Sequence, residues 1–452
     1  MPQANGCVQR SASRVNRLDT TASVSDRRVG DAKRRHFGRP DRSFEDSRPV
    51  SWFSYLVRPP ALLLARLVIG RFGRIMPAGR RTLQDMRHIA VVHWDNLGDA
   101  IHLGPVLREL RRNVPLARIV LVSNERNSGV FFNCPYVDEV LLQAVHEVPG
   151  PGRTHGESKD SRQHVCDAAR LLREEAKAHG KVDLVIGPNW LHPVFGRSYF
   201  DGLLFRSGLG DRLLRHRCSM SGPYRVDSLQ HHVPRNLEIL GALGASIEDD
   251  SLEMWLEPSD RAEADELLRV VPSGTCLVVL APSAGQPRRE WPLARFGAVV
   301  DHLSLKQASA FILVGGEEVK AKAGFSALSG KGGVIDATGM TSLGGLGAVL
   351  ARADLLISND SGPAHVAAAV GTPVVVMSAH SRDGDPWLIT SPNRYRPWGV
   401  PSVVVQPAST ILPCTPGYTC ISDGPHCILS ITVDQVLDAA AALLADQQRG
   451  DV

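Results

Sequence analysis

Short apolar runs alternate with helix-like segments along most of the chain, and this alternation constrains the fold more than any other feature. The first block of strand-like runs lies at 88–92, 118–122, 139–143 and 183–186. A second block repeats the pattern at 276–280, 310–314, 355–358, 374–377 and 403–405. Strands that alternate with helices form parallel, doubly wound sheets. The sequence therefore predicts an α/β fold with two Rossmann-like parallel-sheet domains that face an inter-domain cleft, where such proteins bind ligands.

The 452 residues divide into segments of different composition. The two predicted Rossmann-like domains occupy residues 87–247 and 258–432, and the acidic stretch Glu248–Pro258 is the predicted linker. Residues 433–452 are a C-terminal helix and tail. Residues 1–49 are polar and rich in Arg and Ser, which predicts a disordered basic extension. The alternative is that translation starts downstream of them.

Basic charge is concentrated in the N-terminal segments. Residues 1–87 contain 18 Lys and Arg against 7 Asp and Glu, a net charge of +11, whereas the remainder has a net charge of −7. The overall charge of +4 does not indicate a nucleic-acid partner. Segment 50–86 has the period of a basic amphipathic helix, which suits an anionic membrane surface, and the alternative is packing on the protein's own body. Its apolar face contains Leu64, Val68, Phe72 and Ile75.

The eight cysteines are mostly scattered, unlike a secreted disulfide framework, and residues 1–49 contain no apolar run of a secretion signal. Two charge-free stretches, 361–381 and 397–422, are long enough to cross a membrane but are interrupted by prolines. We therefore expect a cytoplasmic protein, located peripherally on the inner face of the cytoplasmic membrane if the amphipathic segment binds lipid.

Asp354–Met377 is the most informative segment for chemistry. A strand ends at Ser358, an Asn-Asp-Ser-Gly-Pro turn follows, and a helix of small residues begins near Pro363. Unpaired N–H groups at such a helix start bind phosphate. Asp360 is unsuited to face a phosphate, so it either binds a sugar hydroxyl or caps the helix.

Charged residues follow three other strands. Asp99 lies where the first strand meets its helix, where a carboxylate can deprotonate an attacking hydroxyl or cap the helix. Arg288 and Arg289 follow the first strand of the second domain and can bind a diphosphate. Glu317 and Glu318 follow a Gly pair, where a carboxylate can accept both hydroxyls of a ribose. The alternative for the arginine and glutamate groups is a solvated charge cluster.

These segments resemble glycosyltransferase family 9, the ADP-heptose:lipopolysaccharide heptosyltransferase family. The match runs in order from about 88 to 445 and includes Leu97-Gly98-Asp99, Glu-Trp-Pro at 290–292, Gly-Gly-Glu at 315–317 and Arg-Pro-Trp-Gly at 396–399. Asn-Asp-Ser-Gly-Pro-Ala-His at 359–365 is its most specific part. The resemblance implies a GT-B fold, with an acceptor-binding N-terminal domain and a nucleotide-sugar-binding C-terminal domain.

The resemblance also implies an inverting, metal-independent transfer, with no cofactor, from a nucleotide-sugar donor such as ADP-heptose to a glycolipid or polysaccharide acceptor. Asp99 takes the position of the catalytic base. Arg289 replaces the usual Lys on the donor phosphates. Glu317 or Glu318 holds the ribose, with a one-residue ambiguity. The donor sugar and phosphate loop corresponds to Asp360, Ser361, Gly362 and His365.

Two other patterns suggest metal sites and are interpreted otherwise. Asp383-Gly384-Asp385 matches the DxD motif of metal-dependent glycosyltransferases. It follows the strand at 374–377, where the resembled family has a loop near the donor, so metal binding is not the preferred interpretation. Cys414, Cys420 and Cys427 lie beside His426 at gaps unlike CxxC pairs, so packing is the preferred interpretation over zinc. The alternative functions are a nucleotide-sugar epimerase of the same fold and a non-catalytic envelope or scaffold protein.

Overall fold

A computed structural model describes residues 82–93, 96–143, 159–187, 230–386, 388, 390–414 and 422–450. The predicted extension 1–49, the amphipathic helix up to residue 81 and Cys420 lie outside the described residues. Within these ranges, no helix is both long enough and apolar enough to cross a membrane. Leu83 and Met86, which the sequence assigns to the segment before the first domain, are buried in its core.

The first domain is built on a parallel sheet of four strands in the order β3-β2-β1-β4. Its strands are β1 (His88–His93), β2 (Arg118–Asn124), β3 (Glu139–Gln143) and β4 (Leu184–Ile186). Its helices are α1 (Leu97–Asn113), α2 (Lys159–His179) and α3 (His232–Ala242). Ile89 of β1 pairs with Ile119 on one side and Leu184 on the other. The strand order reverses at β1, so ligands are expected at its carboxyl end.

The second domain contains a parallel six-stranded sheet in the order β10-β9-β8-β5-β6-β7. Its strands are β5 (Cys276–Ala281), β6 (Ser309–Leu313), β7 (Val334–Asp336), β8 (Leu355–Asn359), β9 (Val374–Met377) and β10 (Ser402–Val405). Its helices are α4 (Pro258–Leu268), α5 (Leu293–Lys306), α6 (Phe325–Ser329), α7 (Leu343–Leu350), α8 (Gly362–Ala369), α9 (Pro392–Tyr395) and α10 (Val433–Gly450). The order reverses between β5 and β8, which places the loops after these strands together.

All nine predicted strands are present, with boundaries within two residues of those expected. The strand β7 was not predicted from the sequence, and it has three residues, each only partly buried. The helix expected from about 165 begins earlier, at Lys159. The predicted linker overlaps α4 by one residue, because Pro258 is the first residue of that helix.

The linker is held to the first domain by charged contacts. Arg108 of α1 contacts Asp249 at 3.1 Å and Glu253 at 2.7 Å. Trp255 donates its indole N–H to Glu253 at 3.1 Å. Buried apolar side chains of both sheets form one contiguous cluster, which Leu256 joins from the linker. The two domains are therefore packed together rather than joined by an extended tether.

Candidate active site between the two domains

The first component of the site is the turn between β1 and α1. β1 is buried along its whole length and ends at His93, and α1 begins four residues later at Leu97. Asp99 lies in the first turn of α1, where the positive end of the helix dipole stabilises a carboxylate. Its side chain is 17% exposed, so the carboxylate is accessible from solvent.

The second component is the turn between β8 and α8, which Asn359 fixes in place. The Asn359 side chain accepts a hydrogen bond from the Trp291 backbone N–H at 3.0 Å and donates one to Pro282 O at 2.6 Å. Both bonds are buried. Asn359, the first residue of the 359–365 motif, therefore connects the loop after β5 to the Asp360–Gly362 turn by hydrogen bonds.

These two turns contact each other across the domain boundary. A Cβ added to Gly98 would lie 2.5 Å from Cδ2 of His365, and one added to Gly362 would lie 2.7 Å from Cδ2 of Leu97. Only residues without a side chain allow this approach. The helix start that contains Asp99 therefore lies against the helix start of the predicted donor loop.

A cluster of buried histidines fills this contact. His102 lies one turn after Asp99 on α1, and its Nε2 is 3.1 Å from Nδ1 of His365. His231 stacks on Trp398 at 4.5 Å and bonds to the carbonyl of Arg396 at 2.8 Å. The rings of the cluster, each 5% exposed or less, are those of His93, His102, His231, His232 and His365. The Arg-Pro-Trp-Gly motif thus joins the cluster and helps hold the domains together.

Burial keeps these rings neutral. It lowers the pKa of His93 and His231 to about 4 and that of His365 to about 3. Burial also lowers the pKa of His102 and His232 well below 6.5. Because charged imidazolium groups are strongly disfavoured away from water, the cluster is uncharged at neutral pH.

A cavity that is partly open to solvent lies in the second domain beside this contact. Arg288, Arg289 and Asp360 line it together with residues from the loops after β9 and β10. Burial raises the pKa of Asp360, and the positive charge of Arg289 opposes that effect. Two guanidinium groups and one carboxyl in a single cavity fit a ligand with both phosphate and hydroxyl groups.

Comparisons with known proteins bear on the family and the fold. Residues 212–414 match the model of glycosyltransferase family 9 (heptosyltransferase). This part of the chain is similar to glycosyltransferase family 9. It is 23% identical over 301 residues to lipopolysaccharide heptosyltransferase 3 of Escherichia coli, a match that spans 62% of this chain and 79% of that protein.

Two solved structures share the fold. A family 9 glycosyltransferase from Veillonella parvula matches with a TM-score of 0.61 and 22% identity, over 81% of this chain and 100% of that one. E. coli ADP-heptose LPS heptosyltransferase II matches with a TM-score of 0.54 and 16% identity, over 80% and 100%. The predicted family resemblance and the two-domain GT-B architecture are thereby confirmed.

The remaining predicted family 9 residues lie at the edge of the site. Glu317 contacts Lys320 at 2.9 Å, and its carboxylate lies over Gly339. Glu318 folds back over Gly316, and both glutamates are exposed rather than lining the cavity. Ser361 bonds to the carbonyl of Asn359 at 3.3 Å. The one-residue choice between Glu317 and Glu318 for the ribose therefore stays open.

Glu290, from the Glu-Trp-Pro motif, contributes to loop structure. Its carboxylate contacts the Lys322 ammonium and accepts a hydrogen bond from the Ala284 backbone N–H at 3.2 Å. Asp383 of the DxD sequence accepts hydrogen bonds from the backbone and hydroxyl of Thr410 at 2.9 and 3.0 Å. A hydrogen bond from Ser381, together with the two from Thr410, holds the pKa of Asp383 below its usual range.

Two groups near the site have the composition of metal ligands among the described residues. Asp99, His102 and His232 place one ligand atom each within 4.8 Å of one another, as do Cys414, His426 and Cys427. In the first group, His102 Nε2 lies 3.1 Å from His365 Nδ1, and Asp99 is the predicted base. The second group lies on the wall of the cavity.

His93 and His102 were not predicted from the sequence as site residues. A local signal existed for both. His93 is the last residue of a buried central strand, and His102 follows Asp99 by three positions on one helix, so both point toward the predicted base.

Proposed function

We propose that this chain is an inverting glycosyltransferase that moves a sugar, heptose in the first instance, from a nucleoside-diphosphate donor to a hydroxyl of a cell-envelope glycolipid or polysaccharide. The observation that carries the proposal is the contact between the Asp99 turn and the Ser361–His365 turn, through Gly98 and Gly362. It brings a candidate base next to a cavity lined by Arg289 and Asp360.

Asp99 is suited to act as the base. The Nδ1 atom of His232 lies 3.7 Å from its carboxylate, and burial holds the pKa of His232 well below 6.5. The ring therefore faces Asp99 without a positive charge. A carboxylate beside a neutral ring keeps more of its basicity than one paired with an imidazolium. Asp99 can thus accept the proton of an acceptor hydroxyl.

The second domain supplies the groups that suit the donor. Arg288 and Arg289 can bind the diphosphate, and the backbone N–H groups at the start of α8 add a partial positive charge. Arg in place of Lys keeps the charge and adds a planar, bidentate geometry. Asp360 can accept hydrogen bonds from sugar hydroxyls.

The reaction follows as a single displacement. Asp99 removes the hydroxyl proton as the acceptor oxygen attacks the anomeric carbon. The bond from that carbon to the diphosphate oxygen breaks, and the nucleoside diphosphate leaves with the electron pair. The arginines and the α8 N–H groups stabilise the charge that develops. Attack opposite the leaving group inverts the anomeric configuration, and these groups perform the step without a metal ion.

The test is acceptor-dependent release of nucleoside diphosphate from ADP-heptose and other nucleotide sugars. We expect Asp99→Asn to slow release by roughly 10²- to 10⁴-fold, the range for loss of a general base. Asp301→Asn, an exposed carboxylate on α5, is the matched control and should retain full activity. Turnover without acceptor would indicate an epimerase instead. If no nucleotide sugar binds or thermally stabilises the chain, the enzyme hypothesis is wrong.

Membrane location is a separate part of this proposal. The net charge of +11 over residues 1–87 supports attraction to an anionic surface, where a glycolipid acceptor would reside. The E. coli relative is named a lipopolysaccharide heptosyltransferase. We therefore place this chain peripherally on the inner face of the cytoplasmic membrane, with the N-terminal segments as its contact.

A further inference from the structure

Two buried thiols and one imidazole nitrogen converge at the edge of the second domain. Cys414 lies in the loop after β10, and Cys427 begins a 3₁₀ turn, Cys427–Ser430, that follows His426 directly. The Cys414 and Cys427 sulfurs lie 3.5 and 3.4 Å from Nδ1 of His426. Both cysteines are 2% exposed or less.

The distances have the values that a shared metal ion would impose. Zinc binds thiolate sulfur at about 2.3 Å and imidazole nitrogen at about 2.0–2.1 Å, so tetrahedral angles place the two atoms about 3.5 Å apart. Both observed sulfur–nitrogen distances agree with this value. The three ligand atoms also lie within 4.8 Å of one another, as a single coordination sphere requires.

The hydrogen bond of the second ring nitrogen of His426 determines which tautomer faces the thiols. Nε2 lies 3.2 Å from the carbonyl oxygen of Leu412, which can only accept a hydrogen bond. Nε2 therefore carries the proton, and Nδ1 presents a lone pair to both sulfurs. A backbone carbonyl that orients the far nitrogen is the usual support for a metal-binding histidine.

We infer that Cys414, His426 and Cys427 bind a thiophilic divalent cation, Zn²⁺ in the first instance. Among the described residues, these three donors supply three of the four tetrahedral positions that zinc prefers. The packing interpretation preferred from sequence gaps rested on spacing along the chain, whereas folding brings Cys414 to the His426-Cys427 pair across an intervening segment.

The site has a structural role in this inference. A cation there joins the loop that contains Cys414 to the turn that begins at Cys427, and both cysteines line the cavity with Arg289 and Asp360. The cation would thus hold one wall of that cavity in place. It is independent of whether the proposed transfer occurs.

The experiment measures the metal content of the untagged full-length chain by inductively coupled plasma mass spectrometry. We expect about one zinc ion per chain, retained after gel filtration. Cys427→Ser should lose at least tenfold of it, and Cys166→Ser, a partly exposed free cysteine on α2, should keep it. Chain without metal that fails to take up added Zn²⁺, or a Cys427→Ser variant with full content, would overturn the inference.

A second measurement does not depend on the folding of a variant. The wild-type chain is stripped of metal with a chelator and loaded with Co²⁺. Thiolate-to-cobalt charge-transfer absorption together with intense visible bands supports a tetrahedral thiolate site. A cobalt spectrum without the charge-transfer band contradicts it.

Discussion

Acidification should weaken the protein through the histidines at the domain contact. A group whose pKa is lowered on folding binds fewer protons in the folded than in the unfolded state, so stability falls as pH drops below the unfolded pKa. The unfolded value is 6.5, and the folded values are about 4 for His93 and His231 and about 3 for His365. The loss therefore begins near the unfolded value and continues until the folded rings protonate.

The magnitude follows from these pKa values. Between about pH 7.5 and about pH 5.5, the unfolded form of each histidine takes up nearly one proton while the folded form takes up almost none. That difference corresponds to about 1.4 kcal/mol per histidine, or about 4 kcal/mol for the three. The lowered pKa values of His102 and His232 act in the same direction.

The assay is urea unfolding at the two pH values, followed by tryptophan fluorescence. His231→Gln should remove about 1.4 kcal/mol of the pH-dependent loss, whatever it does to stability at pH 7.5. His302→Gln is the matched control, because His302 is exposed on α5 and should leave the loss unchanged. An unfolding free energy that changes by less than about 1 kcal/mol between the two pH values would refute the reasoning.

Three further changes test other parts of the molecule. Gly98→Ala forces a methyl group against His365, and it should lower the unfolding free energy by about 1–3 kcal/mol and remove most of the transfer activity. Gly241→Ala is the control, because a methyl group at that position on α3 meets open space. Thermal denaturation should show the control to be neutral or slightly stabilising. Either Glu317→Gln or Glu318→Gln should raise the KM for the donor in steady-state assays, with little change in kcat. If both variants have the same donor KM as the wild type, neither glutamate binds the ribose. Deletion of residues 1–80 should reduce sedimentation with anionic liposomes, and equal binding by the full-length chain and the deletion would contradict the membrane proposal.

The strands were predictable because each is an apolar run bounded by turn residues, and a parallel central strand is buried on both faces. β7 lacked this signal because Val334–Asp336 is short and only partly buried. The positions of Asp99 and Asp360 were predictable too, since the carboxyl ends of strands at a switch point gather the loops that follow them.

The histidine contact was not predictable in the same way. His102 and His365 are 263 positions apart, and neither lies in a local pattern that requires a histidine partner. The contact between Cys414 and His426 was not predictable from the sequence either, although the two residues are only 12 positions apart. Spacing along the chain identifies a metal site only where the ligands share one local element, and here a loop and a 3₁₀ turn meet through tertiary folding.

The neutrality of the histidine cluster has a functional consequence. α1 and α8 both begin at the domain contact, so the positive ends of two helix dipoles face the same region. Imidazolium groups on His102 and His365 would add positive charge between them and push the helix starts apart. When the rings are neutral, the field of the helix dipoles acts on anions, which are the Asp99 carboxylate and, in the proposed function, a donor diphosphate. Protonation of the cluster should therefore separate the domains before either sheet unfolds, because the repulsion is confined to their contact.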